Sequence, residues 1–154
     1  MSWIEQLEKP KEIKPKISLW IQILLASIIA WTMSFLIVNP LEKLVYGILL
    51  AAIDFLVESL GDYFNLWRSK NSICKIFGVP IEVTLTCIFL GSLWAALKPT
   101  GLYFAVLYIW VTALTGTLIE QVLLKHGYIE YVNWTGIHAL AAYTLMFTLL
   151  YLAA

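Results

Sequence analysis

Five apolar stretches, separated by short polar segments, take up most of this chain. The first runs from Ser18 to Val38 without a charge. Its length is close to the ~20 residues needed to cross a bilayer. Asn39-Pro40 ends it. Further spans are expected at about 41–60, 80–97, 102–124 and 134–154. Gly61 is the expected stop of the second. Gly78-Val79-Pro80 opens the third, with the proline in the first turn, where its missing N–H leaves no helical bond unmade. Lys98-Pro99-Thr100-Gly101 gives a tight turn between the third and fourth. Residues 1–17 read differently: Lys9, Lys11, Lys14 and Lys16 alternate with Glu5, Glu8 and Glu12, and Pro10 and Pro15 interrupt any continuous helix. A short amphipathic segment over Trp3 to Leu7 suits the headgroup region. The first span is too long for a signal-peptide core and lacks a small-residue cleavage site, so it is expected to be retained. The pattern predicts an all-α integral membrane protein, a single bundle of five transmembrane helices behind an amphipathic tail.

Composition excludes a soluble alternative. The 154 residues are 61% hydrophobic and only 13% charged, with a mean hydropathy of +0.83, against roughly 45–50% and 25% for a soluble domain. The formal net charge is zero and no basic block is present, which argues against nucleic acid as a partner. The distribution of cations sets an orientation. Lys9, Lys11, Lys14, Lys16, Arg68, Lys70, Lys75 and Lys125 fall on one side of the expected bundle, and only Lys43 and Lys98 on the other. The positive-inside rule then places the N-terminus in the cytoplasm and the C-terminus outside, in the cell membrane of a bacterium or archaeon. Cys74 lies in a loop facing the reducing side and Cys87 in an apolar run, so no disulfide is expected.

The polar residues inside the spans carry the candidate chemistry. Asp54, Glu58 and Asp62 recur at four-residue steps and share one helical face. A charged carboxylate in hydrocarbon costs several kcal/mol unless it is neutralised or faces a bundle interior, so such residues mark functional sites. With the orientation above, Asp54 lies roughly 10 Å from the cytoplasmic end of its span. Glu58 is one turn nearer that end, Glu82 is in the first turn of the third span, Glu120 is one turn before the end of the fourth, and His138 is one turn into the fifth. Four helices thus place ionisable groups in the cytoplasmic half, where they are expected to form one pocket. Asp54, Glu58, Glu120 and His138 are the candidate catalytic residues. Trp67, Arg68, Glu82, Tyr128 and Trp134 are the candidate binding residues, with Arg68 a counter-charge for Glu58 or Asp62. Each has a plainer alternative: Glu82 as an anion at a helix start, His138 as a hydrogen-bonded core histidine, Arg68 as an interfacial cation. No ligand spacing for a metal and no cofactor motif is present. An echo also links Glu58-x-x-Gly61 running to Trp67 with Glu120 running to Gly127-Tyr128, Tyr131 and Trp134, which hints at duplication.

Leu107-Tyr108-Ile109-Trp110, Ile119-Glu120, Gly127-Tyr128-Ile129-x-Tyr131, Asn133-Trp134 and Met146-Phe147 make residues 80–154 resemble a family of small multipass membrane proteins of Gram-positive bacteria. That resemblance implies a five-helix membrane fold. In the middle of the chain, Glu58-x-x-Gly61, the aromatic loop through Tyr63 and Trp67, and Gly78-Val79-Pro80 are similar, more distantly, to membrane hydratases and small lycopene cyclase subunits of carotenoid biosynthesis. That similarity implies that Glu58 and Asp54 correspond to carboxylates that protonate a polyene.

Three functional classes follow. In the first, an acidic, aromatic-lined pocket open to the cytoplasmic leaflet acts on or binds an apolar lipid or isoprenoid by carboxyl acid–base chemistry. In the second, the same pocket serves a proton- or cation-coupled carrier. In the third, the protein is a membrane-embedded accessory subunit without catalysis, paired with a partner subunit or with a second copy of itself; small-residue faces at Gly91-Ser92, Ala95-Ala96 and Thr112 to Thr117 suit internal packing and such oligomers equally well.

Overall fold

The computed structural model describes residues 17–154; the expected amphipathic tail falls in residues 1–16, outside the described residues. Five helices account for most of the described chain: α1 (Leu19–Ser34), α2 (Leu44–Tyr63), α3 (Ile81–Ala96), α4 (Leu102–Lys125) and α5 (Gly136–Ala153). A 3-10 turn, Pro40–Lys43, leads directly into α2; the Asn39 side chain accepts from Leu41 N–H at its start. Three helical stretches, Pro40–Tyr63, Leu102–Lys125 and Gly136–Ala153, are long and apolar enough to cross a membrane. They identify a membrane-embedded protein. The other two helices are apolar and 16 residues each, about 24 Å of axis.

Hydrocarbon gives apolar faces no reason to leave it, so close backbone approach and interhelical hydrogen bonds hold such bundles together. Both are present. α2 packs along α3 where Gly47 meets Gly91; a Cβ on Gly47 would lie 2.1 Å from the Ile88 carbonyl oxygen. α1 lies on α3, with Trp31 Nε1 donating to Ser92 Oγ at 2.8 Å. Gly91, Ser92 and Ala95, a small-residue face suited equally to internal packing or to an oligomer, lie buried inside the bundle. α4 packs on α5. At the α3–α4 turn, Trp94 stacks on Tyr108 at 4.8 Å and donates to Thr112 Oγ1, while Tyr151 OH donates to the Pro99 carbonyl.

The connections at the opposite end hold four short strands, which an all-α expectation did not include. β1 (Trp67–Ser69) pairs antiparallel with β4 (Ile129–Tyr131), setting Trp67 against Tyr131, Arg68 against Glu130 and Ser69 against Ile129. β2 (Lys75–Ile76) and β3 (Val79–Pro80) close a small hairpin before α3. The strand pair ties the end of α2 to the end of α4, although the hairpin, α3 and α4 all intervene in the chain. One apolar cluster, of Trp20, Trp67, Leu123, Tyr128 and Ile129, sits under the strands. A second, of Leu50, Trp94, Ile109, Met146 and Leu150, fills the other end.

Two boundaries differ from expectation. α1 stops at Ser34 rather than Val38, because the chain turns there ahead of Pro40. α2 runs through Gly61 to Tyr63. Gly61 does not end the helix; it clears space for the Trp67 ring, whose Cζ2 would lie 2.2 Å from an added Cβ. The chain reverses instead at Asn65, in left-handed backbone with φ 52°, a region that asparagine tolerates better than most residues.

Candidate acidic chamber and its apolar annex

Asp54 and Glu58, one turn apart on α2, and Glu120 on α4 line a single cavity of about 40 Å³ between the two apolar clusters. That is room for a few waters or a group of similar size. Glu58 and Glu120 each precede the strand-side end of their helix, Tyr63 and Lys125, by the same number of positions, roughly 7–8 Å of axis. Asp54 lies about 14 Å from the end of α2, deeper than the sequence suggested because the helix continues past Gly61.

The strands supply one donor to each glutamate. Trp67 Nε1 donates to Glu58 Oε2 at 2.9 Å. Tyr131 OH donates to Glu120 Oε1 at 2.5 Å and accepts from Gln121 Nε2 at 3.2 Å. Partial burial, and secondly the carboxyl it faces, push the Tyr131 phenol above its ordinary value of 10.0, so it remains a donor at neutral pH. Trp67 lies against Trp134, with ring centroids 4.6 Å apart, and both indoles with Tyr143 make the aromatic wall. No cation balances the three acids: among the described residues the one ion pair is Lys70 with Glu130, out on the strands. Lys70 holds the Glu130 carboxyl below its ordinary range.

Asp54 also opens onto a second, larger cavity. It measures about 320 Å³ and is lined by residues of all five helices, among them Ile23, Leu50, Leu90, Val111 and Phe147, a volume typical of small-molecule sites. Asp54, Tyr143 and Met146 line both spaces. Asp54 is only 9% exposed, and its Oδ2 is buried without a hydrogen-bond partner. Such an atom in an interior is costly and calls for an occupant. Cys87, placed by the sequence in an apolar run, lines the larger cavity beside Asp54.

The expected pocket is therefore assembled in part. Asp54, Glu58, Glu120, Trp67 and Trp134 come together. Arg68 does not join them: it is exposed and donates to the Asn65 side chain at 2.9 Å rather than to Glu58 or Asp62, because strand pairing turns it away from α2. Asp62, on the same helical stripe, packs against Gly78 at a surface groove. His138 is exposed, shares its Nδ1 with Thr135 Oγ1 at 3.0 Å and lies on the outer side of Trp134. Glu82 is 3% exposed and accepts from Ile73 N–H at 2.8 Å, so it fixes the loop before the hairpin. Tyr128 packs edge-on against Trp20 under the strands. Three contributors were not among the candidate site residues: Tyr131, which appeared only in the echo after Glu120, and Gln121 and Tyr143. Tyr131 had a signal, since it follows Glu120 at the interval by which Ser69 follows Glu58.

Among the described residues, no group of three or more His, Cys, Asp and Glu side chains is placed to hold a metal ion. No family model, curated protein or solved structure matches the chain.

Proposed function

We propose that this protein binds an apolar lipid or isoprenoid within the membrane and performs carboxyl acid–base chemistry on it at Asp54. The observation that carries the reading is the shared wall: an unpartnered carboxyl oxygen stands where a small acidic chamber meets a 320 Å³ apolar cavity. A chain in the larger space would present an unsaturated carbon to Asp54. Glu58 and Glu120 would exchange the proton, and Trp67, Trp134 and Tyr143 would face any developing positive charge. In this reading all five helices cross the cell membrane, with the N-terminus and the strands on the cytoplasmic side. The chamber would then open toward the inner leaflet. The cation distribution of the loops supports that orientation. Glu58 and Glu120 each take a hydrogen bond from the strands of this same chain and face an internal cavity, which favours a ligand site over an accessory subunit.

The test is a mass-spectrometric inventory of lipids that co-purify with the wild type and with Asp54→Asn and Glu58→Gln. A lipid or isoprenoid retained by the wild type, lost from Asp54→Asn, which lines the larger cavity, and reduced in Glu58→Gln, which lines only the chamber, is expected. Identical lipid contents in all three would overturn the reading, and a stoichiometric co-purifying membrane protein would favour the accessory role.

A further inference from the structure

The two strand-bearing connections are one structure built twice. One constant offset in residue number carries the end of α2 onto the end of α4, Tyr63 to Lys125, and β1 onto β4, Trp67 to Ile129. After α2, the N–H groups of Phe64, Asn65 and Leu66 donate to the carbonyls of Leu60, Asp62 and Gly61. After α4, those of His126, Gly127 and Tyr128 donate to Val122, Leu124 and Leu123, the same three bonds at the same offset. Asn65 and Gly127 occupy the same place and both have left-handed backbone, φ 52° and 76°. The sequence follows the geometry: Leu56-Val57-Glu58-Ser59-Leu60 aligns with Leu118-Ile119-Glu120-Gln121-Val122, Tyr46 with Tyr108, and buried Ala51 with buried Ala113. Over 55–65 and 117–127 the succession of buried, half-buried and exposed positions is identical.

The strand register supplies the symmetry. Arg68 stands opposite Glu130, its own counterpart, and the flanking pairs, Trp67 with Tyr131 and Ser69 with Ile129, exchange under the same offset. Antiparallel strands in which a residue faces its own equivalent are related by a two-fold axis through that pair. Both helices run toward the strands, so the axis lies along the bundle, and Glu58 and Glu120 flank it at equal depth in one chamber.

We infer that residues 44–69 and 106–131 are two copies of one helix-to-strand unit, and that Glu58 and Glu120 are an equivalent acidic pair across its axis, which holds the positive centre of one organic cation whose apolar chain lies in the cavity beyond Asp54. The inference rests on the reading of that cavity as a chain site and adds the chemical class of the head. Two acids supported by neutral donors, with no cation facing them among the described residues, attract positive charge. Indole and phenol faces suit a cation clothed in carbon rather than a bare ion. The donor geometry points away from a metal among the described residues. The chamber admits a head of only a few heavy atoms, and Asp54, nine-tenths buried with Oδ2 unpartnered, marks the passage between head and chain. The donors to the pair come from non-equivalent positions, Trp67 in one unit and Tyr131 in the other. Both acids have thus kept a supporting bond although the residues around them diverged.

The test uses the full chain in lipid nanodiscs, with empty nanodiscs as blank, and two probes sharing a ten-carbon isoprenoid chain: geraniol and N,N-dimethylgeranylamine. The amine is expected to bind at least about ten-fold tighter than the alcohol. Glu58→Gln and Glu120→Gln are each expected to erase that preference, by factors within about two-fold of one another, while alcohol binding persists. Helical content and thermal midpoint verify folding. Should a glutamine variant not fold, Glu58→Asp and Glu120→Asp, which keep the charge, are expected to retain the preference for the amine and to weaken it equally. Saturable alcohol binding with no preference for the amine, or a preference lost in one variant and intact in the other, would overturn the paired site and leave the cavity reading standing. Absence of saturable binding by either probe would overturn both.

Discussion

In the unit that ends in β1, Gly61 lies beneath an indole, and Trp67 reaches back along its own helix to Glu58. In the unit that ends in β4, the corresponding positions are Leu123 and Ile129, both buried under the strands, and the donor to Glu120 is Tyr131, further along the strand. One helical turn before each glutamate the units part again: Asp54 stands in one and Gly116 in the other. The ring of Tyr143 lies where a side chain at 116 would begin, 3.2 Å from an added Cβ. The backbone and the pattern of exposure are kept, and the differences fall where side chains face the two cavities. A frame held constant while its lining diverges is what results when one scaffold is used to build an asymmetric site.

Swapping residues between the units sharpens that comparison. The largest effect is expected from Gly61→Leu, which gives α2 the residue α4 carries. Its Cβ would collide with the Trp67 ring, and forcing bulk into a packed site costs about 1–3 kcal/mol. A lowered unfolding midpoint in detergent, with the Trp67–Glu58 bond lost, is the expected result. Tyr131→Phe removes the donor from Glu120 and leaves a carboxyl oxygen unpaired, at a cost of about 1–3 kcal/mol, read from the same melting curve. It should also change the pH profile. Tyr131 is held above its ordinary value of 10.0, so its contribution is complete below that value and is lost as the pH rises through the folded one. The wild type should lose stability at alkaline pH by an amount that Tyr131→Phe does not. Gly127→Ala places a Cβ in left-handed backbone, φ 76°, and should cost about 1 kcal/mol. Asn65→Gly at the equivalent place should shift the midpoint by less, since asparagine already tolerates that backbone and its bond to Arg68 is exposed. Glu130→Gln breaks an exposed pair with Lys70 and should leave the melting curve unchanged at moderate salt, as exposed ion pairs generally do.

Much of this arrangement was legible from residue order. Apolar length located the helices, because nothing but a helix satisfies its own backbone in hydrocarbon, and Pro40 and Pro80 fixed two of their starts. The expectation that Asp54, Glu58 and Glu120 meet came from their common depth and from the helical face that Asp54 and Glu58 share. The strands did not: β1 and β4 are too short for an alternating pattern, and β1 finds its partner beyond two intervening helices. That pairing explains the misplaced members. It turns Arg68 outward, away from Glu58, and brings in Tyr131, whose phenol has no local reason to meet Glu120. Gly61 was misread because glycine ends helices through its backbone freedom, whereas here it serves close packing under Trp67. His138 and Glu82 lie at the expected end of the bundle, but depth does not set azimuth, and each is occupied by a helix start or a loop.

Asp54 lines both the polar chamber and the apolar cavity, so an apolar molecule entering the larger space would meet its carboxyl. Labelling with dicyclohexylcarbodiimide, an apolar reagent that couples to protonated carboxyls within membranes, followed by peptide mass spectrometry, tests it directly. Modification at Asp54, reduced when geraniol is present, is expected, with none at exposed Glu130. Modification confined to acids at the surface, with Asp54 untouched, would contradict it.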